Sequence, residues 1–127
     1  MTNNCKIIMY HYVRPIKNSE YSEIKGLEIG QFQNQIEFFR KNFHFGDSHI
    51  LFDSIESGNI ENNDLVFLTF DDGLKDHYNY VFPILKKEKI QGLFFPPVKP
   101  IEENIVLDVH KIHFILASVK DKKILVN

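Results

Sequence analysis

The stretch Leu65-Val66-Phe67-Leu68-Thr69-Phe70-Asp71-Asp72-Gly73 runs a strongly apolar segment into two adjacent carboxylates and a glycine. An apolar run closed by a turn residue reads as a strand buried on both faces of a parallel sheet. Its acids then stand at the carboxyl edge of that sheet, where α/β folds gather ligands and catalytic groups. Two neighbouring carboxylates repel each other unless something holds them. A divalent cation resolves the conflict, as does a division of labour in which one acid binds the metal and the other moves protons. Asp-Asp-Gly also makes an ordinary strand-to-helix turn, so the surrounding chain decides between the two uses.

Upstream, Lys6 to Val13 (KIIMYHYV) is rich in β-branched and aromatic residues and reads as a second covered strand, ended by Arg14-Pro15. It places His11 near its carboxyl end, on the same rim as the acids. Ile29, Phe32, Ile36, Phe39 and Phe43 recur at steps of three and four and predict an amphipathic helix over 29–43. Ile50 to Phe52 reads as a short strand, and Asp53 to Ser57 as a short helix closed by Gly58. Downstream, Asp76 opens a helical pattern to Lys89, with Pro83 suited to a first turn or a kink. Gln91 to Phe95 resumes as a strand that Pro96-Pro97 ends. Asp108 is placed as the N-cap of a last helix whose Val109, Ile112, Leu116 and Val119 share one face. Strands alternating with helices predict an α/β architecture of mostly parallel strands.

The bulk numbers agree with one domain. The chain has 127 residues, 43% of them hydrophobic and 25% charged, with a formal net charge of -2. That balance supports a packed core and gives no electrostatic footprint for nucleic acid; the Lys86-Lys87 and Lys122-Lys123 pairs read as solvated charges. No stretch approaches the roughly 18 apolar residues of a membrane span, and no secretory signal is visible. The single Cys5 excludes an internal disulfide and a multi-cysteine zinc site. The chain as written therefore reads as cytoplasmic, with envelope association open.

Of the histidines, His110 and His113 stand three apart on the last predicted helix. By the apolar pattern His113 borders the buried stripe and His110 points toward solvent, which favours a structural and a surface histidine over a ligand pair. Other chemistries lack their letters. A haloacid-dehalogenase-type phosphatase needs Asp-x-Asp-Gly, but Phe70 stands two before Asp72; a receiver domain wants its acidic pair after the first strand. There is no phosphate-cradling glycine loop, no Gly-x-Ser-x-Gly and no His-Glu-x-x-His.

Thr69-Phe70-Asp71-Asp72-Gly73, the helix ending Pro83-Ile84-Leu85-Lys86-Lys87, and Gly92-Leu93-Phe94-Phe95 together resemble the polysaccharide deacetylases of the NodB-homology type, carbohydrate esterase family 4. Met9-Tyr10-His11-Tyr12-Val13 is similar to the first strand of that family's envelope-polysaccharide branch, and Phe32 with Gln35 to its following Phe-x-x-Gln helix. The resemblance covers residues 6 to about 97. It implies the N-terminal half of a distorted (β/α) barrel related to the TIM barrel. It also implies hydrolysis of an N-acetyl or O-acetyl group on an acetylated polysaccharide or oligosaccharide, with a divalent metal, commonly zinc. Asp71 matches the general base and Asp72 the metal ligand.

The family's His-Ser/Thr-x-x-His metal motif, with histidines four apart, is absent, as are its later Arg-x-Pro motif and terminal histidine. His110 and His113 are the remaining metal candidates, alone or with Asp72 as a reduced site. The whole chain is thus expected to be one partial domain, 1–127, whose C-terminal part is missing. Its activity alone is expected to be impaired, and self-association or a complementary C-terminal half is the expected partner. A non-catalytic half-barrel that binds itself or a partner chain is the alternative.

Overall fold

The computed structural model describes residues 5–59 and 64–119. The Lys122-Lys123 pair lies outside the described residues. The element order is β1 (Cys5–Tyr10), α1 (Ile29–Asn42), β2 (His44–Phe45), α2 (Ser48–Ser57), β3 (Leu65–Asp71), a π-helical turn (His77–Val81), α3 (Phe82–Glu88), β4 (Gly92–Phe95), α4 (Val98–Glu102) and α5 (Asp108–Ser118). Among the described residues the result is an open, four-stranded parallel α/β sheet, consistent with part of a barrel.

The apolar stretch of β3 takes the central position, and six of its seven residues are buried. On one side it pairs in parallel with β1, from Cys5 opposite Leu65 to Tyr10 opposite Phe70. On the other it pairs with β2 at Leu65 and Val66, then with β4 from Leu68 opposite Gly92 to Asp71 opposite Phe95. Parallel partners share a face, so alternate rows of the sheet face opposite ways.

One face carries Ile8, Tyr10, Val66, Leu68 and Phe70, and helices cover it. The expected stripe of α1 supplies Phe32, Ile36 and Phe39 to this core, while Val81 and Leu85 come from the turn and helix after β3. Tyr10, Phe70 and Phe94 lie in one row across three strands, stacked at 5.2 and 4.9 Å between ring centroids. Phe32 closes on Tyr10 edge-on at 5.1 Å. The other face is open along β1, where Ile7 and Met9 are each 60% exposed. No described helix is long and apolar enough to cross a membrane.

Three local expectations are corrected. Ile50 to Phe52 is helical, because Asp47 accepts from the Ile50 amide and starts α2 upstream, while Gly58 ends it in the left-handed conformation as expected. The second short strand is instead His44–Phe45. The last helix is capped by Leu107 in place of Asp108, and Asp108 occupies its first turn, where its carboxylate pairs with Lys111 at 2.9 Å. That same helix is rotated from the expected orientation: Val109 and Ile112 are exposed, whereas His110 and Ala117 are buried. Positions 110, 114 and 117 share a face by helical geometry, and this face packs on Tyr12 and Tyr21.

The core row predicts its own energetics. Leu68→Ala, in the most buried strand, is expected to cost about 2–5 kcal/mol, seen as a lower urea midpoint with unchanged slope.

Candidate active site

The β1–β3 register brings two chain segments to one end of the sheet. Tyr10 pairs with Phe70, so the residues that follow each, His11-Tyr12 and Asp71-Asp72, emerge side by side. Asp72 is in the left-handed region at φ 73°, followed by Gly73 at φ 59°. A Cβ on Gly73 would meet Pro96 Cβ at 2.8 Å, so glycine is needed there on two counts. The tight turn throws the Asp72 carboxylate back over the sheet edge.

Two imidazoles meet that carboxylate. His11 Nε2 and His110 Nε2 each lie 3.6 Å from Asp72 Oδ2. His11 is exposed, one residue past the end of β1. His110 is buried, and its Nε2 has no hydrogen-bond partner among the described residues. The expectation that His110 faces solvent is therefore overturned, because α5 docks through the face that carries His110, Phe114 and Ala117. The apolar stripe misled; the telling signal was the spacing of His110, Phe114 and Ala117. His113 does not reach Asp72 within ion-pair range among the described residues and instead meets the Tyr12 hydroxyl through Nδ1 at 3.2 Å. Asp71 ends β3 half-buried, opposite Phe95.

Tyr12 and His77 are site residues that sequence reasoning passed over. Tyr12 is buried and its hydroxyl lies 2.6 Å from His110 Nδ1; burial, then the Asp72 charge, push its phenol upward from the ordinary value. His77 sits in the π-helical turn and donates from Nε2 to the His11 carbonyl oxygen at 2.8 Å. A carbonyl can only accept, so the His77 proton is on Nε2. Beside it, Asp76 is buried and its Oδ2 lies 3.6 Å from Arg14 Nε. A π-turn before α3 accommodates this inward pair, with Pro83 in the first turn of the helix as its fixed φ requires.

Among the described residues, no group of three His, Cys, Asp or Glu side chains closes into a ready-made metal cage. A cleft of about 610 Å³ between α1 and α3, lined by Glu37, Arg40 and Glu88, lies on the helix-covered side and is remote from the carboxylates.

The sequence model of the polysaccharide deacetylase family matches residues 58–118. Among curated proteins no relative matches. Among solved structures, IcaB from Ammonifex degensii is similar at TM-score 0.57 and 28% identity, covering 74% of this chain and 39% of that one. The Streptococcus pyogenes deacetylase PplD, in complex with acetate, is similar at TM-score 0.60 and 24% identity, covering 71% of this chain and 41% of that one. A de-N-acetylase from Aggregatibacter actinomycetemcomitans gives TM-score 0.59 and 20% identity, covering 72% and 37%. The last two likenesses concern the fold alone. The chain spans about two fifths of the length of these structures.

Asp76 gives the site a pH signature. Burial raises its carboxyl above the ordinary value, against the opposing pull of Arg14 and His77. Between the ordinary and the raised value the native state keeps a proton that the unfolded chain has released, so stability falls as pH rises through that window. Asp76→Asn is expected to lose this slope, which urea denaturation at a series of pH values from about 3.8 upward would display.

Proposed function

We propose that this chain, whose residues 58–118 match the polysaccharide deacetylase family model, carries a metal-assisted deacetylase centre acting on an acetylated sugar polymer. The observation that carries the reading is the convergence of His11 and His110 on one oxygen of Asp72, with His110 Nε2 buried and unpartnered. A buried nitrogen facing a carboxylate without a hydrogen bond is costly unless a cation joins them.

The donor chemistry fits such an ion. Two imidazoles and a carboxylate are a set used by catalytic zinc. Ligands at about 2.1 Å from a tetrahedral ion stand about 3.4 Å apart, close to the 3.6 Å that separates Asp72 Oδ2 from each imidazole, although the three side chains do not yet close into a cage among the described residues. Asp72, His11 and His110 would therefore hold the divalent cation. When bound, the cation supplies Lewis acidity to the acetyl carbonyl and acidifies the attacking water.

The remaining work falls to the chain's own side chains. Asp71, adjacent along the chain, accepts the proton of the attacking water and returns it to the departing sugar nitrogen or oxygen, giving acetate and a free amine or hydroxyl. Asp72 stays committed to holding the ion. Separate roles for the two acids relieve the repulsion that adjacency imposes.

A second reading rests on the open sheet face. Ile7 and Met9 are exposed there. This favours assembly with a second copy or a complementary chain; sedimentation would show a concentration-dependent oligomer, whereas a strict monomer would remove it.

Zinc calorimetry and acetate release from acetylated amino-sugar oligomers test the main reading. Asp72→Ala is expected to abolish saturable zinc binding. Asp71→Asn is expected to retain binding and to lower turnover by about 10²–10⁴-fold. Saturable binding untouched by Asp72→Ala would sink the assignment.

A further inference from the structure

His110 is held from behind by a residue that no acid-pair motif requires. The Tyr12 hydroxyl lies 2.6 Å from His110 Nδ1 and 3.2 Å from His113 Nδ1, bridging two rings on α5 from a position 98 residues earlier than the first of them. A phenol carries one hydrogen. Two ring nitrogens facing one hydroxyl therefore cannot both accept from it: one must carry its own proton and donate. A His110 ring protonated on Nδ1 leaves Nε2 as a bare lone pair, the state a metal ligand needs. A His110 ring protonated on Nε2 turns an unpartnered buried N–H toward Asp72 at 3.6 Å, too long for a hydrogen bond.

Resting on the metal reading above, we propose that Tyr12 is a positioning residue. Its hydroxyl accepts from His110 Nδ1–H and donates to His113 Nδ1, fixing the tautomer and aim of His110. His113 is then the end of a relay and not a ligand, which accounts for a three-residue histidine spacing on this helix. Ligand histidines characteristically donate their second nitrogen in this way, and losing the acceptor costs about 10–100-fold in affinity. The ring of Tyr12 also packs with Ile16, Ile24 and Ala117, so hydroxyl and packing roles must be separated.

Tyr12→Phe keeps the ring and deletes the hydroxyl, and is expected to weaken zinc binding about 10–100-fold in calorimetry. Ile24→Ala loosens the same packing and keeps the hydroxyl, and is expected to leave zinc affinity unchanged. Equal losses in the two variants, or none in Tyr12→Phe, would overturn the proposal. In the metal-free wild-type chain, long-range ¹⁵N–¹H correlation spectra should show His110 protonated on Nδ1 and His113 on Nε2; the reverse pattern also overturns it. Absence of zinc binding by the wild type would defeat the metal reading instead, and the tautomers would still decide the role of Tyr12.

Discussion

The row Tyr10–Phe70–Phe94 is the constraint on which the rest of the structure depends. Three aromatic rings at matched positions of three parallel strands set the register of β1 and β4 against β3. A slip of one residue would turn these rings to the open face and take Tyr10 and Phe70 out of the core. Because the register is fixed there, the next residues along β1 and β3 must emerge together. His11, Tyr12, Asp71 and Asp72 owe their proximity to that row, and none of them forms it.

The site is then assembled from three independent anchors. The strand register brings β1 and β3 together, the His77 ring ties down the His11 backbone from the π-helical turn, and the Tyr12 hydroxyl fastens α5 through His110. Arg14 adds a further link, reaching Asp76 on one side and lying over the Phe114 ring at 5.4 Å on the other. Distant parts of the chain are thus joined by polar contacts at one end of the sheet, while apolar packing lies behind it.

Much of this was legible in the sequence, for physical reasons. The β3 run and the 29–43 stripe carry their burial in their periodicity, and Asp71-Asp72-Gly73 marks the strand's end by its chemistry. The capping of α2 by Asp47 was less visible, because Ile50-Leu51-Phe52 satisfies strand and helix patterns alike. The orientation of α5 misled more deeply. Its apolar residues suggested one buried face, but that face stays exposed and the helix docks through His110, Phe114 and Ala117. The contact that turns it, Tyr12 with His110, spans 98 positions and leaves no local trace.

The uncovered face of β1 bears on how the chain fares after synthesis. Exposed Ile7 and Met9 lie on a strand whose outer edge has no partner among the described residues, with neither a proline nor a bulge to blunt it. At high concentration such an edge can recruit strands of other chains. The yield of soluble material in a cell would then be governed by chaperone occupancy and by the rate of capture, more than by the depth of the core behind it.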